Sequence, residues 1–139
     1  MIVIDASVVN KFFLPHEDGR DKALAILRNH IQKKDSIIVP DLLFYEVANT
    51  LVTKTEIPKE QIAISLAKFD KLKLNIFHPT IEHIKKAASF AKQYHVSVYD
   101  AIYAILALEK KCLLVTADKK FITQVSQDYI RKLDDLPVA

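Results

Sequence analysis

Short runs of nearly unbroken apolar residues recur along the chain, at Met1–Asp5, Ser36–Val39, Asn75–His78 and Cys112–Thr116, each closing on an acid, a proline or a threonine. Runs this short, without polar alternation, read as strands buried on both faces. Between them the apolar residues fall at helical spacing. Val8–Leu14 is a first helical segment, capped from Asp5-Ala-Ser7 and ended by Pro15. Leu24, Leu27 and Ile31, with Ala23 and Ile26, mark a helix over Asp21–Lys33, and Phe44, Val47, Ala48 and Leu51 mark one opened by Asp41. Ile62, Leu66 and Phe69 form the apolar edge of a helix entered at Pro58, and Ile81, Ile84, Ala88 and Ala91 that of a helix capped by Thr80. Ser97 caps a helix whose run Ala101–Leu108 is apolar nearly all round. This alternation predicts an open parallel sheet of four to five strands covered by helices on both faces. Ile130–Leu133 is the fifth strand, its charged neighbours suiting an edge.

Four acids fall where such a sheet places its ligands, beyond the carboxyl ends of the strands at the point where strand order reverses. Asp5 ends the first strand and Asp118 follows the fourth, while Glu46 and Asp100 begin about one turn into helices that lean over the same edge. Each has an ordinary alternative role. Asp5 and Asp118 suit N-caps, Asp100 lies three residues after Ser97 as in a capping box, and Glu46 sits off its helix's apolar stripe beside Asn49 and Thr50. Taken together they pose an electrostatic problem. Converging carboxylates raise one another's pKa and oppose folding unless a cation lies among them. No lysine, arginine or histidine recurs at corresponding positions after the strands, so the natural counter-ion is a metal. An all-oxygen set suits a hard cation, Mg²⁺ or Mn²⁺ rather than Zn²⁺.

Composition narrows the field. At 139 residues, half of them apolar, the chain has the size of one domain spanning residues 1–139, with no linker, repeat or low-complexity tract. Glycine occurs once, at Gly19, which excludes glycine-rich phosphate loops. The single cysteine, Cys112, lies in an apolar strand pattern and reads as packing. A net charge of +3, spread over lysine pairs such as Lys33-Lys34 and Lys119-Lys120, is neutral about partners. The apolar runs fall short of the roughly 18 residues that span a bilayer, and the start lacks a basic signal-peptide region, so a soluble, cytoplasmic protein is expected. His16, His30, His78, His83 and His95 show no metal-like pairing, and Tyr99 and Tyr103 read as packing around Asp100.

The segments MIVIDASVV, VPDLLFYEVANTL, VSVYDAIYAILAL and LLVTADKKF, in this order and spacing up to about Phe121, resemble those of PIN-domain ribonucleases, and more narrowly the VapC-like toxins of type II toxin–antitoxin pairs. The tail after Phe121 is not diagnostic. The resemblance implies an α/β/α sandwich around a parallel sheet, with Asp5, Glu46, Asp100 and Asp118 as an acidic quartet that binds Mg²⁺ or Mn²⁺. It implies supporting roles for Ser7 and Thr116, which bond a carboxylate or a metal-bound water, and for Asn49, one turn after Glu46. It also implies RNA as substrate, a small antitoxin whose tail crosses the acidic groove, and a homodimer. Val8, Val9, Phe12, Phe13 and Leu14 are available to either contact, with core packing the simpler fate for most.

The chemistry expected of such a site is phosphodiester hydrolysis, in which a bound ion activates water and neutralises charge on the phosphoryl and leaving oxygens. Lys11, Lys119 and Lys120 are candidates for making the local field attractive to phosphate. Two rivals remain. A receiver-type phosphoacceptor domain also gathers acids at strand ends, but requires an aspartate after the third strand, where this chain has Phe77-His78-Pro79-Thr80. A catalytically silent binding or scaffold domain of the same fold would carry the same acids.

Overall fold

In the computed structural model, which describes residues 1–137, the first apolar run becomes the central strand β1 (Ile2–Ile4). It is followed by α1 (Ala6–Phe13), α2 (Arg20–Ile31), β2 (Ile37–Pro40), α3 (Leu42–Thr53), α4 (Lys59–Asp70), β3 (Asn75–Phe77), α5 (Ile81–Tyr94) and α6 (Val98–Lys110). Then come β4 (Leu113–Thr116), α7 (Lys119–Val125), β5 (Ile130–Lys132) and a 3₁₀ turn, Leu133–Asp135. All five strands pair in parallel in the order β3-β2-β1-β4-β5. The fifth strand is an edge strand, as its charged alternation requires.

The chain steps outward from β1 to β2 to β3, then returns across the sheet to β4 on the other side of β1. Right-handed crossovers therefore put the helices of the β1–β2 connection and those of the β3–β4 connection on opposite faces. Helix α6 packs on β1, β2 and β4, and α1 packs against α2, α3 and β4. This is a three-layer α/β/α arrangement. Its core joins Val3, Ile4, Ile37, Val39, Leu114 and Val115 of the sheet to Tyr103, Ala104, Leu106 and Ala107 of α6 and to Val8, Val9, Leu43 and Val47. Phe13 meets Phe69 edge-on at 5.7 Å, tying α1 to α4.

Several local expectations shift. Helix α1 begins two residues early, at Ala6, because Asp5 alone is the cap: its carboxylate accepts the Val8 N–H at 3.4 Å. Ile31 is 59% exposed although it continues the apolar spacing of α2, since the helix ends there and the chain turns away at Gln32. On α5 the buried side is Ala87 and Ala91, and Ala88 is exposed. The face is set by α6, which packs along α5 and contributes Ala101 and Ile105 to a small satellite cluster. With so little glycine, the left-handed positions that end α5, α6 and α7 fall to His95, Lys111 and Ser126.

Candidate active site

The reversal of strand order lies between β1 and β4, and the residues following those strands meet there. Asp5, only 8% exposed, receives the Ser7 hydroxyl as a donor. The same Ser7 oxygen accepts the Ala117 N–H at 2.8 Å and lies 3.3 Å from the Thr116 hydroxyl. Thr116 is fully buried and its Oγ1 accepts the Asp118 N–H at 3.0 Å. Ser7 and Thr116 thus fasten the turn after β1 to the turn after β4, and both aspartates inherit fixed positions. Asp118 also caps α7, accepting the Phe121 N–H at 3.1 Å.

The helices bring the other two acids. Ser97 caps α6 by accepting the Asp100 N–H at 3.0 Å. Glu46, in the second turn of α3, accepts the Tyr103 hydroxyl proton at 2.6 Å on Oε1. All four acids line one cavity of about 300 Å³, together with Ser7, Asn49, Asn10, Thr50 and Tyr103. Thr116 stands behind that wall. Apolar depressions of about 220 and 430 Å³ elsewhere, beside Ile2 and Ile26 and beside Leu108 and Leu113, gather no comparable set of acids. A smaller cavity of about 150 Å³ shares Asp100 and Asp118 and is flanked by His95, Lys120 and Gln124.

A PIN domain family model matches residues 2–125, nearly the whole chain. The chain belongs to the PIN-domain family. It is 29% identical over 126 residues to ribonuclease VapC3 of Pyrobaculum aerophilum, covering 86% of this chain and 90% of that protein. Its fold is similar to the crystal structure of Mycobacterium tuberculosis VapC20, described as a sarcin-ricin loop cleaving toxin, with a TM-score of 0.68 at 15% identity over 88% of this chain and 94% of that one. It is likewise similar to a chain of a toxin–antitoxin complex from Klebsiella pneumoniae, with a TM-score of 0.65 at 12% identity over 96% and 98% of the two chains. At these identities the structural likenesses speak to the fold.

Within this PIN domain the pocket is electrostatically strained. Burial pushes the Asp5 carboxyl up to about 6, and the nearby Asp100 charge adds to this against the opposing hydrogen bonds of Ser7, Thr116 and Val8. Glu46 is raised above the usual carboxylate range by burial first, with Asp5 and Asp100 adding repulsion and the Tyr103 bond opposing. Asp100 is raised by burial, then by the Asp118 charge, against a bond from Ser97. The Tyr103 phenol is held far above its ordinary value by burial and by Glu46, so it stays a donor. The donor set therefore fits a hard divalent cation: four carboxylates, and no histidine or cysteine on the pocket wall. Among the described residues, no three His, Cys, Asp or Glu side chains stand close enough to grip one ion directly.

The lysines separate. Lys11 is buried and turns to Glu17 at 3.5 Å, away from the pocket, whereas Lys120 flanks the smaller cavity beside Asp100 and Asp118. None of the five histidines lines the acidic pocket. His30 accepts the Ile37 N–H at 3.1 Å, and His83 completes the α5 capping box while its Nε2 meets Glu109 at 2.8 Å. Tyr99 is 62% exposed and does not pack, because its side of α6 faces away from the sheet. Tyr103 does pack, yet its hydroxyl reaches the site. Asn10, bonded to Thr50 at 3.3 Å, is a further pocket residue that sequence reasoning passed over. Its signal was available, as an amide one turn after Ser7 on a helix that otherwise carries mostly apolar residues.

Ser7 bridges the two turns, so Ser7→Ala should lower stability by about 1–2 kcal/mol by leaving the Ala117 N–H without its acceptor. Urea unfolding of the variant checks this, and an unchanged midpoint would show that the bridge holds nothing together.

Proposed function

We propose that this PIN domain is a divalent-metal-dependent endoribonuclease that hydrolyses RNA phosphodiester bonds as the toxin of a toxin–antitoxin pair. The observation that carries the reading is the convergence of Asp5, Glu46, Asp100 and Asp118 on one pocket at the strand-order reversal. The family membership and the VapC3 relative support the nuclease class. Asp5, Glu46, Asp100 and Asp118 hold Mg²⁺ or Mn²⁺ in this reading, with Ser7, Thr116 and Asn49 supporting. When bound, the ion supplies Lewis acidity, easing deprotonation of water and neutralising charge that develops on phosphoryl and leaving oxygens.

The chain's own contribution is positioning. Ser7 and Thr116 hold Asp5 and Asp118 through the backbone turns, Ser97 fixes the helix end that carries Asp100, and Tyr103 orients Glu46. Asn10, Asn49 and Thr50 form a neutral part of the wall, suited to a ribose hydroxyl or a phosphate oxygen. An antitoxin segment and a second copy of the chain are the partners in this reading. Val8 and Val9 are spent in the core, while Phe12, Phe13 and Leu14 are half-buried. Among the described residues no helix is long and apolar enough to cross a membrane.

One observation favours a catalytically silent PIN-fold binding protein instead: the acids line the pocket without closing into a direct chelate. The purified protein on defined RNAs, with Mg²⁺, Mn²⁺ or chelator, separates the two. Cleavage only with the ions supports the nuclease, and none under any condition supports the silent reading. Mn²⁺ in hundredfold excess over its dissociation constant should also stabilise the fold by about 2.7 kcal/mol. Identical thermal scans in chelator and in Mn²⁺ would remove the metal site from the proposal.

A further inference from the structure

Tyr103 joins the core to the pocket. Its ring is 1% exposed in the core shared by α6 and the sheet, and its only polar atom emerges at the pocket against Glu46. A phenol has one proton to donate, and here it goes to Oε1 at 2.6 Å, the short distance of a bond to a charged acceptor. One Glu46 oxygen is therefore committed to the protein. Oε2 is left as the oxygen available to an ion.

That commitment has a coordination consequence. Ca²⁺ takes six to eight oxygens and commonly uses both oxygens of a carboxylate, whereas Mg²⁺ demands six near-octahedral ligands, keeps several waters and takes carboxylates through one oxygen. An oxygen already accepting a short, charge-assisted bond is a poorer second donor to a cation. Resting on the reading of the pocket as a divalent-cation site, we propose that the Tyr103 hydroxyl confines Glu46 to one-oxygen binding and so selects small octahedral dications over Ca²⁺. Tyr103 is a positioning residue in this role, since it acts through Glu46. The ring fixes where the hydroxyl stands, and the hydroxyl fixes which oxygen remains.

The test is the ratio of Ca²⁺ to Mn²⁺ dissociation constants, measured by titration calorimetry on the purified protein without RNA. Tyr103→Phe keeps the ring and deletes only the donor. The ratio should fall about tenfold relative to the unmodified chain, through tighter Ca²⁺ binding, a change of the size that outer ligand partners exert on metal affinity. An unchanged ratio overturns the proposal. If Tyr103→Phe melts early in chelator, both titrations are run below its melting midpoint beside the unmodified chain at the same temperature, and an unchanged ratio there likewise overturns the proposal. Glu46→Ala separates the two levels of failure. Wild-type affinities for both ions in Glu46→Ala would mean that Glu46 is no ligand, and the Tyr103 proposal falls while cation binding by the other acids stands. Failure of the unmodified chain to bind either ion sinks the cation reading of the pocket itself.

Discussion

Asp5→Asn should reduce metal-dependent RNA cleavage by at least about a hundredfold while making the metal-free protein more stable at neutral pH. The two effects have one source. Losing a group that merely supports a metal ligand typically costs ten- to a hundredfold, and losing a ligand costs at least as much. Yet the Asp5 carboxylate is a charge buried under 8% exposure beside Asp100, and its pKa of about 6 records how poorly the folded protein tolerates its ionisation. Asparagine keeps the shape, can cap α1 at the Val8 N–H, and can still accept the Ser7 hydroxyl. Only the charge is lost. Asp100→Asn should behave alike with a smaller gain in stability, since Asp100 is less deeply buried. Initial rates with Mn²⁺ on a defined RNA, beside melting curves in chelator, test both halves. A variant that cleaves at the wild-type rate removes Asp5 from the site, and one that loses stability at pH 7 would mean the carboxylate is a structural asset.

The second large effect is on pH. Asp5 has a folded pKa of about 6 against 3.8 in the unfolded chain, so the unfolded state gives up its proton first as pH rises. The stabilising contribution is fully present below the unfolded value and is lost as pH climbs through the folded one. Metal-free protein should therefore lose on the order of 3 kcal/mol between about pH 4 and pH 6, with Glu46 and Asp100 shifting in the same direction. Asp35 runs the other way. Held below its usual range by hydrogen bonds and charge from the chain's own amino terminus and the Ser36 N–H, it loses its stabilisation only as pH falls through that low value. A stability maximum near pH 4 follows in chelator, and Mn²⁺ should flatten the decline above it by occupying the pocket. Denaturant melts across this range, with and without Mn²⁺, decide. A metal-free stability that rises steadily from pH 4 to 7 contradicts the strained-pocket account.

The chain declares much of this in its local patterns. Strands β1, β2 and β4 are apolar runs too short for buried helices and closed by an acid, a proline or a threonine, and Ser97, Asp118 and Thr80 cap the helices their positions announce. The four acids are legible because strand ends are legible, and the sheet rule then places them on one edge. What stays hidden depends on pairs distant in sequence. Tyr103 meets Glu46 across 57 residues, and no spacing within α6 tells that its hydroxyl, rather than that of Tyr99, turns inward. The burial of Ala87 rather than Ala88 is decided by how α6 lies on α5. Lys11 is a candidate for phosphate in the sequence, but its side chain is paired with Glu17.

Because β1 lies at the centre of the sheet, flanked by β2 and β4, the pocket opens with residue 5 and closes only with residue 118. A growing polypeptide on the ribosome carries Asp5 and Glu46 long before it carries Ala117, whose N–H anchors Ser7, or Thr116, whose hydroxyl positions Asp118. Contacts this far apart in sequence form late. A PIN domain with this strand order therefore carries its acidic pocket unassembled for most of translation, and the four carboxylates meet only once β4 has been added beside β1.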